Sequence, residues 1–226
     1  MEAQVELIEL GLDREEAEVQ ALRTLLSEEE RARADRFVFP RDQRRFTVAR
    51  ASLRKALAAR LGTTPEALAF HYEEHGKPRL KGDALIFNLS HSGERAVIAI
   101  SSGPRVGVDI EAARPEVDIH GLAEYTYSPA EFASFLSLPE SLRRAGFFRC
   151  WTSKEAFVKT LGLGFSFPLR DFDVEVDPRR PAAILALRAP GLSRARYAIQ
   201  AFADDPVHPI AVVVEAEELR VQRGFL

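Results

Sequence analysis

Apolar residues recur with helical spacing in two long segments of the chain, residues 42–61 and 147–161, and a glycine follows each segment. Most of these apolar positions lie three or four residues apart: Phe46, Ala49, Leu53, Leu57 and Leu61 in the first segment, and Phe147, Cys150, Phe157, Val158 and Leu161 in the second. This spacing, with glycine at the C-terminal end, predicts two amphipathic helices that end at Gly62 and Gly162.

Shorter apolar stretches, several of them alternating with polar residues, predict strands on either side of these helices. We expect strands within residues 1–12, 68–72, 85–89, 96–100, 106–111, 171–176, 183–187, 197–202 and 210–214. Residues 90–93 are expected to form a tight turn, and residues 223–226 a tail.

Capping signals and breakers predict shorter helices. Two are expected before the first long helix, over residues 13–26 and from the capping-box sequence at 27–30 to Pro40, which should end that helix. Another helix begins at Pro129, because proline is favoured at the first helical position. Pro139 and Gly146 are expected to break the chain before the second long helix.

The order of these elements repeats. A long helix followed by three or four strands occurs over residues 42–111 and again over 147–215. The repetition predicts an α+β fold of two similar subdomains related by a pseudo-two-fold axis, with the active site in the cleft between them. We expect an N-terminal subdomain at 1–111, a connector at 112–122 and a C-terminal subdomain at 123–226.

Composition and charge narrow the class of protein. Of the 226 residues, 46% are hydrophobic and 29% are charged, which is ordinary for a soluble globular protein. The net charge of −3 argues against general binding of nucleic acid. The single cysteine excludes an intramolecular disulfide and fits a cytosolic setting. No signal peptide is evident, and no apolar stretch approaches the ~20 residues that span a membrane.

Two carboxylates share one face of the strand predicted at 106–111. Gly107, Asp109 and Glu111 alternate with apolar residues, so the carboxylates lie ~7 Å apart, and the glycine leaves room for a close approach. Carboxylates of this kind hold Mg²⁺ together with water and phosphate oxygens. From this pair alone, an exposed polar face is an equally good interpretation. Glu155, on the second long helix, would add a third carboxylate and favours the metal site.

Several charged residues have two interpretations each. Glu155 and Lys159 lie four residues apart and form either a solvated helix pair or part of a site. Lys154 falls within the apolar stripe, where an ammonium is costly unless an anion accompanies it. The arginines of the first long helix, Arg45 among them, form either a solvated basic face or a phosphate-binding patch. Taken alone, two polar pairs are typical of surface turns: Lys77-Pro78 and Ser90-His91.

The order of several motifs is more specific than any one of them. They are Gly76-Lys77-Pro78, Asn88-Leu89-Ser90-His91-Ser92-Gly93, Gly107-Val108-Asp109-Ile110-Glu111, Trp151-Thr152-Ser153-Lys154-Glu155-Ala156-Phe157-Val158-Lys159 and Gly162-Leu163-Gly164. This order closely resembles the 4′-phosphopantetheinyl transferases, specifically their monomeric, duplicated surfactin-type branch. The resemblance extends from about residue 27 to residue 176.

The resemblance implies transfer of the 4′-phosphopantetheine arm of coenzyme A to a serine of an apo acyl or peptidyl carrier protein, with release of 3′,5′-adenosine bisphosphate. It implies Mg²⁺ on the pyrophosphate, held by three carboxylates: Asp109, Glu111 and Glu155. Lys159 would neutralise the phosphate and the leaving group, and Glu155 would deprotonate the serine, directly or through water. His91 and Arg45 are expected near the 3′-phosphate. The full set expected to bind the coenzyme is Arg45, Lys77, Pro78, Ser90, His91, Lys154 and Lys159.

The resemblance also implies the partners and the setting. Besides coenzyme A we expect an apo carrier protein as partner, no nucleic acid or membrane, and a cytoplasmic monomer. The carrier is expected to dock on an apolar surface with basic neighbours within residues 112–140, where Phe132 and Phe135 are candidates. Two alternatives stay open: a module that binds coenzyme A or a carrier without transfer, and a Mg²⁺-dependent pyrophosphate hydrolase.

Overall fold

Both long helices are confirmed by the computed structural model, which describes residues 2–226 apart from the side chain of Phe165. Helices α3 (Pro40–Leu61) and α6 (Glu140–Leu161) contain 22 residues each and end at Gly62 and Gly162 in the left-handed conformation, which glycine adopts without strain. The shorter helices are α1 (Glu16–Arg23), α2 (Glu28–Ala34), α4 (Ile119–Thr126) and α5 (Pro129–Ser137).

The nine predicted strands occur in the predicted order, and two strands that were not predicted form at residues 78–80 and 218–225. In chain order, the strands are β1 (Glu2–Gly11), β2 (Phe70–Tyr72), β3 (Pro78–Leu80), β4 (Ile86–Ser92), β5 (Arg95–Ser101), β6 (Val106–Ile110), β7 (Phe172–Val174), β8 (Ile184–Leu187), β9 (Ala198–Phe202), β10 (Ile210–Val214) and β11 (Glu218–Phe225). Met1, which the first predicted strand included, lies outside the described residues.

Two main sheets share one plan. The strand order is β11-β1-β5-β4 in the first sheet and β6-β10-β9 in the second. β1 pairs antiparallel with β5 and β5 with β4, just as β6 pairs antiparallel with β10 and β10 with β9. A long helix follows the first strand of each set, α3 after β1 and α6 after β6. The α+β class is therefore confirmed, while the two-fold relation between the halves stays a prediction.

Two strands cross the boundary that the sequence predicted after Glu111. β6 was assigned to the N-terminal subdomain, but it is hydrogen-bonded to β10 in the second sheet. β11 pairs in parallel with β1, so the final residues form a strand and not the expected tail. These pairings join residues about a hundred or more positions apart, and the local alternation of apolar residues does not specify them.

Helix α6 lies directly against β6 because Gly107 has no side chain. A Cβ atom at this position would lie 2.1 Å from the carbonyl oxygen of Ala156 and 2.4 Å from the amide nitrogen of Thr160. The aromatic residues of α6 continue the packing into the core, where Phe157 contacts the ring of Phe172 with centroids 4.6 Å apart. The acidic side of β6 is thereby placed next to the polar side chains of α6.

Lys154 is buried, and the chain itself provides its anion. Only 1% of Lys154 is exposed, and its Nζ lies 2.8 Å from a carboxylate oxygen of Glu131 on α5. Nζ also donates to the carbonyl oxygens of Leu169 and Phe172, at 2.6 Å and 2.7 Å. The other oxygen of Glu131 accepts from the amide of Val174 at 2.8 Å. The expectation that Lys154 supports phosphates is therefore wrong, because its ammonium is held within the core.

Pro40 and Gly146, which were expected to interrupt helices, lie within helices instead. Pro40 does not end α2, which stops at Ala34, but is the first residue of α3, where its missing N–H costs nothing. Gly146 lies inside α6, and a Cβ there would lie 2.4 Å from a methyl group of Leu138, so the glycine permits close packing. Among the described residues, no helix is long and apolar enough to span a membrane.

Replacing Lys154 by methionine should destabilise the protein by about 3–5 kcal/mol, because Glu131 would keep a buried charge without its partner. Urea denaturation followed by circular dichroism measures this change. The matched control is Lys81→Met, at an exposed position, which should change the free energy of unfolding by less than ~0.5 kcal/mol. A change below ~1 kcal/mol for Lys154→Met would contradict the importance of this ion pair.

Candidate active site

Three polar residues that were expected in a turn lie on strand β4. Ser90, His91 and Ser92 are its last residues, and the turn comes after them, at Gly93 and Glu94. The sequence prediction ended the strand too early because the apolar run stops at Leu89. Successive side chains of a strand point to opposite faces, so Ser90 and Ser92 share one face and His91 takes the other.

Ser90, Asp109 and Lys159 form a closed triangle of hydrogen bonds between β4, β6 and α6. The Lys159 Nζ donates to Asp109 Oδ1 at 2.6 Å and to Ser90 Oγ at 2.9 Å, and Ser90 Oγ donates to the same Oδ1 at 2.8 Å. Asp109 is 3% exposed, and its Oδ2 has no hydrogen-bond partner among the described residues. Burial raises the pKa of the Asp109 carboxyl, although Lys159 opposes this effect.

Glu111 is held by two donors that the sequence analysis did not identify. Ser92 Oγ donates to one carboxylate oxygen at 2.9 Å, and the indole N–H of Trp151 donates to the other at 3.1 Å. Trp151 is the only tryptophan of the chain. The alternation of Ser90 and Ser92 along β4, opposite Asp109 and Glu111 on β6, is the signal that could have revealed the first of these donors.

Glu155 lies close to both acidic residues of β6 but has no hydrogen bond or ion pair with any described residue. Burial raises the pKa of its carboxyl, and the charges of Asp109 and Glu111 raise it further, while Lys159 opposes them. Burial followed by the charge of Asp109 likewise raises the pKa of Glu111. Three carboxylates therefore repel one another here, and Lys159 is the ammonium that lies among them.

The chemistry of these groups suits a hard divalent cation. Carboxylate oxygens are the ligands that Mg²⁺ prefers, and the buried Oδ2 of Asp109 lacks a partner that a cation would supply. As they stand, no three His, Cys, Asp or Glu side chains within residues 2–226 are placed so that they could hold one metal ion. The donor set therefore fits Mg²⁺ by composition and charge, without a formed coordination shell.

His91 and Arg45 are the two residues expected near the 3′-phosphate. Desolvation lowers the pKa of His91, and the charges of Lys159 and Arg45 lower it further. Arg45 forms a two-pronged ion pair with Asp13, at 2.7 Å and 2.8 Å. Two other arginines of the predicted basic patch, Arg50 and Arg54, are instead buried on Glu30, at 2.5 Å and 2.6 Å.

Lys77 and Pro78 lie beside the start of β6 and the last turn of α6. Lys77 Nζ donates to the carbonyl oxygens of Lys159, at 2.5 Å, and Val106, at 3.1 Å. Pro78 begins strand β3 and pairs with Tyr72, so it belongs to a short hairpin. The structure thus directs the Lys77 ammonium to the protein backbone.

An apolar groove of about 430 Å³ opens beside Glu155 and Lys159. Its walls come from α4, α6 and the segment after α6: Tyr125, Val158, Phe167, Pro168 and Leu169. The groove could not be predicted from the sequence, because its walls come from separate parts of the chain. Phe135, a candidate for carrier docking, is only 1% exposed and belongs to the core, whereas Phe132 is half-buried.

Comparison with known proteins shows the family of the chain. Residues 105–213 match the family model of the 4′-phosphopantetheinyl transferase superfamily, and residues 13–103 match the model of the 4′-phosphopantetheinyl transferase N-terminal region. The 4′-phosphopantetheinyl transferase HetI of Nostoc sp. is 39% identical over 185 residues, which cover 80% of this chain and 78% of HetI.

Two further relatives come from bacilli. The 4′-phosphopantetheinyl transferase psf-1 of Bacillus pumilus is 34% identical over 196 residues, which cover 86% of this chain and 81% of psf-1. The 4′-phosphopantetheinyl transferase Sfp of Bacillus subtilis is 30% identical over 155 residues, which cover 68% of this chain and 67% of Sfp. At this identity and coverage, the chain belongs to the 4′-phosphopantetheinyl transferase superfamily.

Proposed function

We propose that the protein transfers the 4′-phosphopantetheine group of coenzyme A to a serine hydroxyl of an apo acyl or peptidyl carrier protein and releases 3′,5′-adenosine bisphosphate. The observation that carries this proposal is the cluster of Asp109, Glu111, Glu155 and Lys159, which combines acidic groups for a metal ion with one ammonium for phosphate charge. Phosphoryl-type transfer depends mainly on positioning and charge stabilisation, which such a cluster supplies.

Asp109, Glu111 and Glu155 would hold Mg²⁺. When bound, the ion would neutralise charge on the pyrophosphate and orient it for attack. The Ser92 and Trp151 donors fix the Glu111 carboxylate, and Ser90 and Lys159 fix one oxygen of Asp109. Hydrogen-bond donors to metal-binding carboxylates orient these ligands and lower the free-energy cost of assembling the site.

Glu155 is the residue we assign to deprotonation of the carrier serine. It is the one carboxylate of the three for which no hydrogen bond is found among the described residues, and its raised pKa brings it closer to the range of an efficient base. Lys159 would neutralise charge on the phosphate and on the leaving group. Its ammonium already lies 2.6 Å from Asp109, so no large movement is needed to meet a pyrophosphate held there.

The proposed contacts to coenzyme A include Ser90, which belongs to the cluster. His91 and Arg45 stay in the proposed binding set and are assigned to the 3′-phosphate. Pro78 stays in the proposed binding set only as a residue of the β2–β3 hairpin. The apolar groove next to Glu155 offers space for the extended arm. We further propose that the protein acts as a cytoplasmic monomer on a carrier protein.

Replacing Glu155 by glutamine should lower the rate of transfer at least ~100-fold, the usual contribution of a positioned general base. The assay incubates an apo carrier with coenzyme A and Mg²⁺ and detects the phosphopantetheine adduct by mass spectrometry. Glu140→Gln, at the exposed start of the same helix, is the matched control and should retain wild-type activity. Undiminished turnover by Glu155→Gln would remove Glu155 from the mechanism.

The same assay separates the alternative functions. If the wild-type protein modifies none of several apo carriers but binds coenzyme A, it is a binding module. If coenzyme A is cleaved when no carrier is present, the protein is a pyrophosphate hydrolase. Either outcome would overturn the proposed transfer.

The metal-free protein should become less stable as the pH rises above the usual pKa of its carboxyls, about 4. The carboxyls of Asp109, Glu111 and Glu155 have folded-state pKa values above their usual range, so the folded state binds more protons than the unfolded state there, and stability falls as these groups ionise. At pH 7, Glu155→Gln should therefore have a higher Tm than the wild-type protein when no metal is present.

Mg²⁺ should reverse this penalty at pH 7. Saturation to ~100 times Kd would stabilise the wild-type protein by about 2.7 kcal/mol, and Glu155→Gln should gain less. Thermal denaturation with and without Mg²⁺ measures both effects. Equal Mg²⁺ responses of the two proteins would show that Glu155 does not help to hold the ion.

A further inference from the structure

The Lys77 side chain crosses from the N-terminal half of the chain to the end of α6. Its Nζ donates to the carbonyl oxygen of Lys159 at 2.5 Å and to the carbonyl oxygen of Val106 at 3.1 Å. Lys159 lies in the last turn of α6, and Val106 is the first residue of β6. One ammonium therefore ties the end of this helix to the start of the strand that carries Asp109.

The chemistry of a helix end explains why a cation lies here. The last four carbonyl groups of a helix have no partner within the helix and carry partial negative charge, which favours a cation. Lys77 satisfies the carbonyl of Lys159, and Arg105 donates to the carbonyl of Leu161 at 3.0 Å. Thr160 anchors the same turn from another side, because its hydroxyl contacts the carbonyl oxygen of Val213 at 3.1 Å.

The surroundings of Lys77 also point to a role within the protein. Burial lowers the pKa of Lys77 to about 8, and the charged neighbours that act on it are Glu73, which favours the ammonium, and Arg105, Arg79 and Lys159, which oppose it. Glu73 is itself paired with Arg79 at 2.9 Å. The ammonium is thus directed at two backbone oxygens, with one carboxylate near it.

The two residues that Lys77 joins are those that set the Lys159–Asp109 contact. Gly107 lets α6 touch β6, but a glycine only permits the approach and does not fix the helix along the strand. Fixing the carbonyl of Lys159 limits where its side chain begins. Fixing Val106 limits where Asp109, three residues further on, presents its carboxylate.

We propose that Lys77 is a positioning residue for the transfer reaction: it holds the backbone of Lys159 against β6 so that the Lys159 ammonium stays on Asp109. This role replaces the expectation that the Lys77 ammonium binds coenzyme A, and it rests on the proposed function. The positioning role predicts that loss of Lys77 slows the chemical step, because Lys159 is misplaced. The affinity for coenzyme A should not change.

Steady-state kinetics of Lys77→Met test the proposal. We expect kcat to fall at least ~10-fold, since small misplacements of a catalytic group are costly, while KM for coenzyme A changes by less than ~2-fold. Lys77→Arg, which keeps a cation that can reach carbonyl oxygens, should recover part of kcat. Lys81→Met, at an exposed position four residues away, is the control and should match the wild-type protein. A ~10-fold rise in KM with unchanged kcat would overturn the proposal in favour of direct coenzyme binding.

A double-mutant cycle tests whether the effect passes through Lys159. In a Lys159→Met background, measured in single-turnover reactions over hours, adding Lys77→Met should change the rate by less than ~2-fold, because the group being positioned is already absent. A full ~10-fold loss in that background would show that Lys77 acts independently of Lys159.

Amide hydrogen exchange gives a readout that needs no activity. In Lys77→Met, exchange over residues 159–163 should be at least ~10-fold faster, because the last turn of α6 loses a partner. The end of α3, which Lys77 does not contact, is the internal control and should not change. Unchanged exchange at 159–163 would overturn the positioning role. Because the wild-type transfer assay is scored separately, failure of the proposed function and failure of this role are distinguishable.

Discussion

The site depends on the direct contact between helix α6 and strand β6. Gly107 makes that contact possible, since any side chain there would overlap the backbone of Ala156 and Thr160. The contact brings the Lys159 ammonium to 2.6 Å from Asp109 and places Glu155 among the acidic residues of β6. A shift of the helix by one residue would separate these groups, so the packing of one glycine determines the electrostatics of the whole cluster.

Two lysines on helix α6 have different roles because one is buried in the core and the other is partly exposed. Lys154 is enclosed in the core, where Glu131 and two carbonyl groups satisfy its ammonium. Lys159, about one and a half turns later, faces three carboxylates on the open side of the helix, beside the apolar groove. Lys154 therefore stabilises the position of α6, and Lys159 carries the charge that a phosphate group can use. The same residue type serves both purposes because its environment differs.

Local sequence patterns predicted the features that depend on neighbouring residues. They did not predict contacts between segments that are distant along the chain. The periodicity of α3 and α6, their glycine ends and the alternation around Asp109 were all visible in the sequence. The partner of β6, the anion for Lys154 and the direction of Lys77 were not, because each depends on residues 23 to 108 positions away. Ser90 was misplaced because the end of a strand is a weak signal once its residues become polar. Family resemblance supplied the candidate residues, and the packing showed which of them meet.

The central claim is that Asp109, Glu111, Glu155 and Lys159 form one centre that binds the metal ion and the pyrophosphate of coenzyme A. A crystal structure of the protein with coenzyme A and Mg²⁺ tests it most directly. We expect an ion at about 2.0–2.1 Å from carboxylate oxygens of this cluster, with the pyrophosphate beside Lys159. An ion or a pyrophosphate bound away from these four residues would contradict it.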